Sequence, residues 1–101
     1  MRLKNGVIWA QMHPSMEHAW EVCERVTWSL FDRDAVITSG REGTHSETSL
    51  HYEGKALDLR TRDLDADEVE RYRWELASKL GADYDIVIES GSHIHVEFDP
   101  A

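Results

Sequence analysis

The sequence predicts an α+β fold: a small, largely antiparallel sheet of about four strands with two main helices packed on one face. Three observations lead there. Apolar residues recur at helical spacing in two stretches, short β-branched runs alternate between them, and a final pair of runs flanks a Ser-Gly-Ser turn. A chain of 101 residues can build one core but not two, so residues 1–101 are read as a single domain.

Taken in order, Pro14 and Ser15 are helix-start signals, and Met16, Ala19, Trp20, Cys23, Val26, Thr27 and Leu30 form an apolar stripe behind them. DAVITSG, Asp34 to Gly40, reads as a short strand closed by a Ser-Gly breaker. A polar loop, 41–54, carries His45 and His51. KALDLR, Lys55 to Arg60, alternates, with Leu57 and Leu59 on one face and Ala56 and Asp58 on the other. Asp65 and Glu68 have capping-box spacing at the head of a second helix, with Val69, Tyr72, Leu76 and Leu80 as its apolar face and Gly81 as its stop. YDIVIE and HIHVEF, Tyr84 to Glu89 and His93 to Phe98, then form a hairpin. The four tryptophans, Trp9, Trp20, Trp28 and Trp74, are expected to fill much of the core.

Composition narrows the function. Hydrophobic residues at 41% and charged residues at 31% are a globular balance. A net charge of −9 argues against nucleic acid or an anionic membrane as partner, since both reward clustered Lys/Arg. The single cysteine, Cys23, excludes an intramolecular disulfide and reads as an apolar filler on the first helix. No secretory signal or membrane-length apolar run is read, which makes the cytoplasm the default location. Release to the cell wall by another system is the alternative, and the oligomeric state is left open. His13 and His18 are expected at the surface, and Arg60, Arg62, Asp63 and Asp65 are read as a solvated connector.

Four of the six histidines fall in two short segments, His45 with His51 and His93 with His95. Alternation puts His93, His95 and Glu97 on one face of the last strand and Ile94, Val96 and Phe98 on the other. Asp58, between two leucines, sits on the non-core face of its own strand. If those strands are neighbours, His51 folds over from the preceding loop and completes a tripod with Asp58 and one of the pair His93 and His95. Two imidazoles and a carboxylate with an open position suit zinc, whose bound water ionises near about pH 7. The same set suits non-haem iron. Glu89, four residues before His93, favours hydrolytic zinc, because a carboxylate beside a metal-bound water is a general base.

HSETSLHYEGKALDL, followed after a helix by YDIVIESGSHIHVEF, resembles the amino-terminal signalling domain of hedgehog proteins. More loosely it is similar to the bacterial zinc D-Ala-D-Ala carboxypeptidases that share that fold. The likeness runs from about Ala35 to Phe98. It implies one zinc ion on His51, Asp58 and His95, and it is the resemblance that selects His95 from the pair. It places Glu89 beside the metal-bound water, with His93 and His45 near the metal as further catalytic groups. Hedgehog domains bind calcium through an acidic loop, but SGREGT offers only Glu42, so calcium is not expected. Arg41 falls near an arginine that holds a substrate carboxylate in the peptidases.

The leading expectation is therefore a zinc metallopeptidase acting on a peptide, of the peptidoglycan, D-amino-acid-containing type. Glu89 would pass a proton from zinc-bound water to the leaving amine, and His45 and His93 would stabilise the oxyanion. The rival is a catalytically silent zinc-containing binding module, because hedgehog domains keep the constellation yet act by binding receptors.

Overall fold

Two capped helices frame the chain's path, and both begin where local chemistry satisfies or removes their orphan N–H groups. The computed structural model describes residues 1–42, 50–51, 53–89 and 93–100. Helix α1 (Ser15–Phe31) starts behind Pro14, whose φ of −54° is already helical, and buries Met16, Ala19, Val22, Cys23, Val26 and Thr27. It stops at Asp32, which turns left-handed (φ 55°) and donates its N–H to Trp28 O at 3.0 Å. Helix α2 (Ala66–Leu80) has the full capping box: Glu68 N–H donates to Asp65 Oδ1 at 2.8 Å, and Asp65 N–H to Glu68 Oε1 at 3.0 Å. Gly81, at φ 86°, ends it as the sequence predicts.

The five strands are β1 (Arg2–Leu3), β2 (Val36–Ser39), β3 (Ala56–Arg60), β4 (Tyr84–Glu89) and β5 (His93–Phe98), and they lie in the order β1-β2-β3-β5-β4. β1 pairs parallel with β2 and every other pair is antiparallel. The α+β architecture with helices on the sheet is the one expected, with one strand more. β1 escapes sequence reading because an exposed Arg-Leu pair has no periodicity to detect.

Ile37, Leu57, Leu59, Ile94 and Val96 face the helices and pack with Met16, Cys23, Tyr72 and Leu76 in one core. Tyr72 is buried but not unsatisfied: its hydroxyl bonds Thr27 Oγ1, which also donates to Cys23 O at 2.6 Å. The tryptophans do not fill this core. Trp28 and Trp74 are 48% and 61% exposed, while Trp9 and Trp20 pack edge-on to each other at the core's border. Trp28 and Trp74 lie off the apolar stripes of their helices, and position on the stripe outweighs the size of the side chain.

β3 is the middle strand, and both its faces are covered: Ala56, Leu57, Asp58 and Leu59 are all buried. Between β2 and β3 the register slips, with Ile37 opposite Leu59 but Ser39 opposite Asp58, so Thr38 is the extra residue of a bulge beside Asp58. Among the described residues no helix is long and apolar enough to cross a membrane.

The segment from Lys4 to His13 straps across the loops at the ends of β2 and β3. Lys4 N–H donates to Ile37 O (2.9 Å), Arg41 N–H to Ile8 O (3.1 Å) and His13 N–H to Gly54 O (2.8 Å). Two glycines make this approach possible. A Cβ at Gly40 would overlap the Ile8 carbonyl oxygen, and one at Gly54 would lie 3.0 Å from Gln11 O on a backbone at φ 71°.

Candidate metal centre

The pairing of β3 with β5 sets Asp58 directly opposite His95, on the face away from the helices. His51 enters from the turn before β3, which is closed by Gly54 N–H to His51 O at 3.1 Å and Lys55 N–H to Leu50 O at 2.9 Å. It is only 2% exposed.

Hydrogen-bond partners determine which ring nitrogens carry protons. His51 Nδ1 lies 2.7 Å from Gly40 O, and a carbonyl can only accept, so Nδ1 donates and Nε2 carries the lone pair. His95 Nε2 lies 2.7 Å from Glu97 Oε1 and donates to that carboxylate, which leaves the lone pair on Nδ1. These two bare nitrogens are 3.2 Å apart. Asp58 Oδ1 is 3.3 Å from His51 Nε2 and 2.9 Å from His95 Nδ1. Three acceptor atoms facing one another at this range need a cation between them.

That cation can be a proton or a metal. Burial opposes charge on both Asp58 and His95. The imidazoles of His51 and His95 beside Oδ1, with that of His93 beyond, nevertheless hold the Asp58 carboxyl well below the usual carboxylate range. Against its own burial, hydrogen bonds to Asp58 and Glu97 push His95 up to about 8. The spacing also fits a metal. Ligands ~2.0 Å from a tetrahedral ion stand ~3.3 Å from one another, close to the triangle found here. His51, Asp58 and His95 thus form a cluster able to hold an ion, with Gly40 O and Glu97 orienting the two rings.

His93 lies beside the triangle rather than in it. Its Nε2 is 3.8 Å from the other Asp58 oxygen, Oδ2, and 3.8 Å from Glu89 Oε2. Glu89 ends β4 opposite His93, is half exposed, and brings Oε1 to 3.7 Å from His95 Nδ1. His45 lies outside the described residues.

Arg41 turns to the strap, donating from Nη1 to Gln11 Oε1 at 2.7 Å. Glu42 accepts from Ile8 N–H (2.7 Å) and Gly40 N–H (2.9 Å), which hold its carboxyl below the usual range despite burial. Of the orienting groups, Glu97 could be read from its place two residues after His95 on the same strand face. The Gly40 carbonyl has no side chain to announce it. His13 is not simply a surface residue: its Nδ1 accepts the Ser15 N–H at 3.1 Å, and its ring stacks on Phe98.

A family model for the Hedgehog amino-terminal signalling domain matches residues 16–97. Curated relatives agree. The chain is 43% identical to the Indian hedgehog B protein of Danio rerio over 61 residues, which are 58% of this chain and 14% of that protein. It has the same identity and coverage with the Indian hedgehog protein of Gallus gallus, and is 41% identical to the Sonic hedgehog protein of Danio rerio. The matched region is therefore a small part of those relatives.

These findings overturn the expectation of a zinc peptidase acting on peptidoglycan-type peptides. The matched family is a signalling domain and the named relatives are hedgehog proteins, so the catalytic roles expected of Glu89, His93 and His45, and the substrate role of Arg41, lose their basis. The physical reason is that a His-Asp-His triangle holds a metal equally well with or without turnover, so its donors could not report hydrolysis. With the motif segments, the fold and most of the chain in agreement, the protein belongs to the Hedgehog amino-terminal signalling domain family.

Proposed function

We propose that the chain is a catalytically silent, zinc-bearing binding module of the hedgehog signalling type, with His51, Asp58 and His95 as the zinc ligands. The observation that carries this reading is the convergence of three potential ligand atoms within 3.3 Å, in a chain of a signalling-domain family. Zinc bound there would supply a tetrahedral centre tying the turn at His51 to β3 and β5. Gly40 and Glu97 fix the ring orientations. Glu89 and His93 flank the centre at the surface, where a carboxylate and an imidazole serve as contacts for a protein partner rather than as proton carriers.

Metal analysis of the purified chain is expected to return about one zinc per molecule. His95→Ala loses the metal and His93→Ala keeps it, and the zinc-loaded protein leaves a panel of peptides, D-Ala-D-Ala among them, uncleaved. Zinc-dependent cleavage abolished by Glu89→Gln would sink the silent-module reading. Full zinc content in His95→Ala would sink the ligand assignment.

A further inference from the structure

Beside the metal centre lies a cavity of about 270 Å³ whose wall includes Lys4, Arg60 and Arg62 together with Thr38, Asp58 and His93. The chain has 11 Lys/Arg against 20 Asp/Glu, so three cations around one small cavity run against its overall charge. Separate parts of the fold bring them there. Lys4 follows β1 and is fixed by its N–H to Ile37 O at 2.9 Å. Arg60 ends β3, two residues beyond Asp58 on the same face and opposite His93 in the register. Arg62 follows just after the strand.

The cations are not consumed by neighbouring carboxylates. Lys4, Arg60 and Arg62 form no ion pair among the described residues, and Asp63, which also feels the Arg62 charge, is clamped through both carboxylate oxygens by Arg33. The carboxylate in the wall, Asp58, has Oδ1 against His51 and His95 and Oδ2 3.8 Å from His93 Nε2. Three cations therefore stand in the cavity wall against the single carboxylate of Asp58.

We propose that this cavity is an oxyanion site that takes a phosphate group, free or carried on a small monoester. The donor count selects the chemistry. Each guanidinium offers five N–H groups and the ammonium three, more than the two oxygens of a carboxylate can accept and well suited to a tetrahedral dianion. Its three cations lie outside the His51–Asp58–His95 triangle, and Asp58 is the one residue that the cavity wall shares with the metal centre.

The test is calorimetric titration of the protein as purified, in low-salt buffer, with inorganic phosphate, methyl phosphate and acetate. Saturable phosphate or methyl phosphate binding is expected with a dissociation constant of about 1 mM, weakening as salt is raised. The tighter of the two shows whether the free ion or the ester is preferred, and acetate should bind at least about tenfold more weakly. Arg60→Gln/Arg62→Gln should lose about tenfold or more in phosphate affinity, and Lys4→Gln severalfold. Should the double variant fail to fold, Lys4→Gln decides alone. The proposal is overturned if neither phosphate species binds saturably, if acetate binds as well as phosphate, or if binding is undiminished in the folded variants. Undiminished binding would place the anion on the metal or elsewhere.

Discussion

The two faces of β3 are both buried, yet they are buried by opposite means. On one, Leu57 and Leu59 are packed by aliphatic and aromatic side chains from both helices. On the other, Asp58 is enclosed by two imidazoles whose outer nitrogens are held by Gly40 O and Glu97. Apolar burial is stable in its own right, because nothing has to be neutralised. The polar face is stable only while a cation sits among its acceptors. One strand thus joins an unconditional core to a conditional one.

The largest expected effect breaks the unconditional side. Leu59→Ala should cost about 3 kcal/mol in urea unfolding, because it removes a fully buried side chain and leaves a cavity. The loss should be the same with zinc as with chelator. A loss that shrinks when chelator is present would show that the two faces are energetically one.

The next effect tests the conditional side. In metal-free protein the His95 interaction is fully present below the ring's ordinary value of 6.5 and is lost as pH rises through about 8. The Asp58 partner sets the other limit. Its stabilisation is present above the ordinary 3.8 and is lost as pH falls through the depressed folded value. Chelated protein should therefore lose on the order of 2 kcal/mol of stability between about pH 6 and about pH 9. Zinc needs the His95 ring unprotonated, so zinc-dependent stabilisation should grow over the same interval. A flat profile in chelator would remove the distinction drawn between the faces.

The smallest effect concerns the strap that closes the polar face. Gly54→Ala places a Cβ at φ 71° against Gln11 O, and should cost about 1 kcal/mol. Because His51 lies in the same turn, zinc affinity should fall together with stability. Lost stability with unchanged zinc affinity would show that the turn and the centre are independent.

How much of this was legible in the sequence follows the same division. The helices could be read because caps and stripes are local: Asp65 with Glu68, Gly81, and the periodic residues from Met16 onward. The apolar face of the sheet followed from alternation. Alternation could not choose between His93 and His95, which point the same way from one strand. The choice depends on register, and Asp58 opposite His95 is set by a long-range pairing. It needed the resemblance to a family before the structure showed which ring joins the triangle. The strap was illegible for a different reason. Its contacts with Gly40 and Gly54 are made by backbone, and residues 4–13 lie ahead of the family-matched region. Hydrolysis was misread because donor identity reports what a site can hold, not what it does.

Cys23 has a consequence for how this molecule meets its chemical surroundings. Its side chain is completely enclosed, and burial, helped by the neighbouring Glu24 charge, pushes the thiol up to about 12. Thiolate is the reactive form, so the folded chain offers no thiolate to oxidants, alkylating agents or thiol-seeking metals. No thiolate therefore competes for an ion with the nitrogen and oxygen donors, and the native protein should form no disulfide-linked dimer in oxidising media. Any labelling of its one sulfhydryl would time the opening of the core.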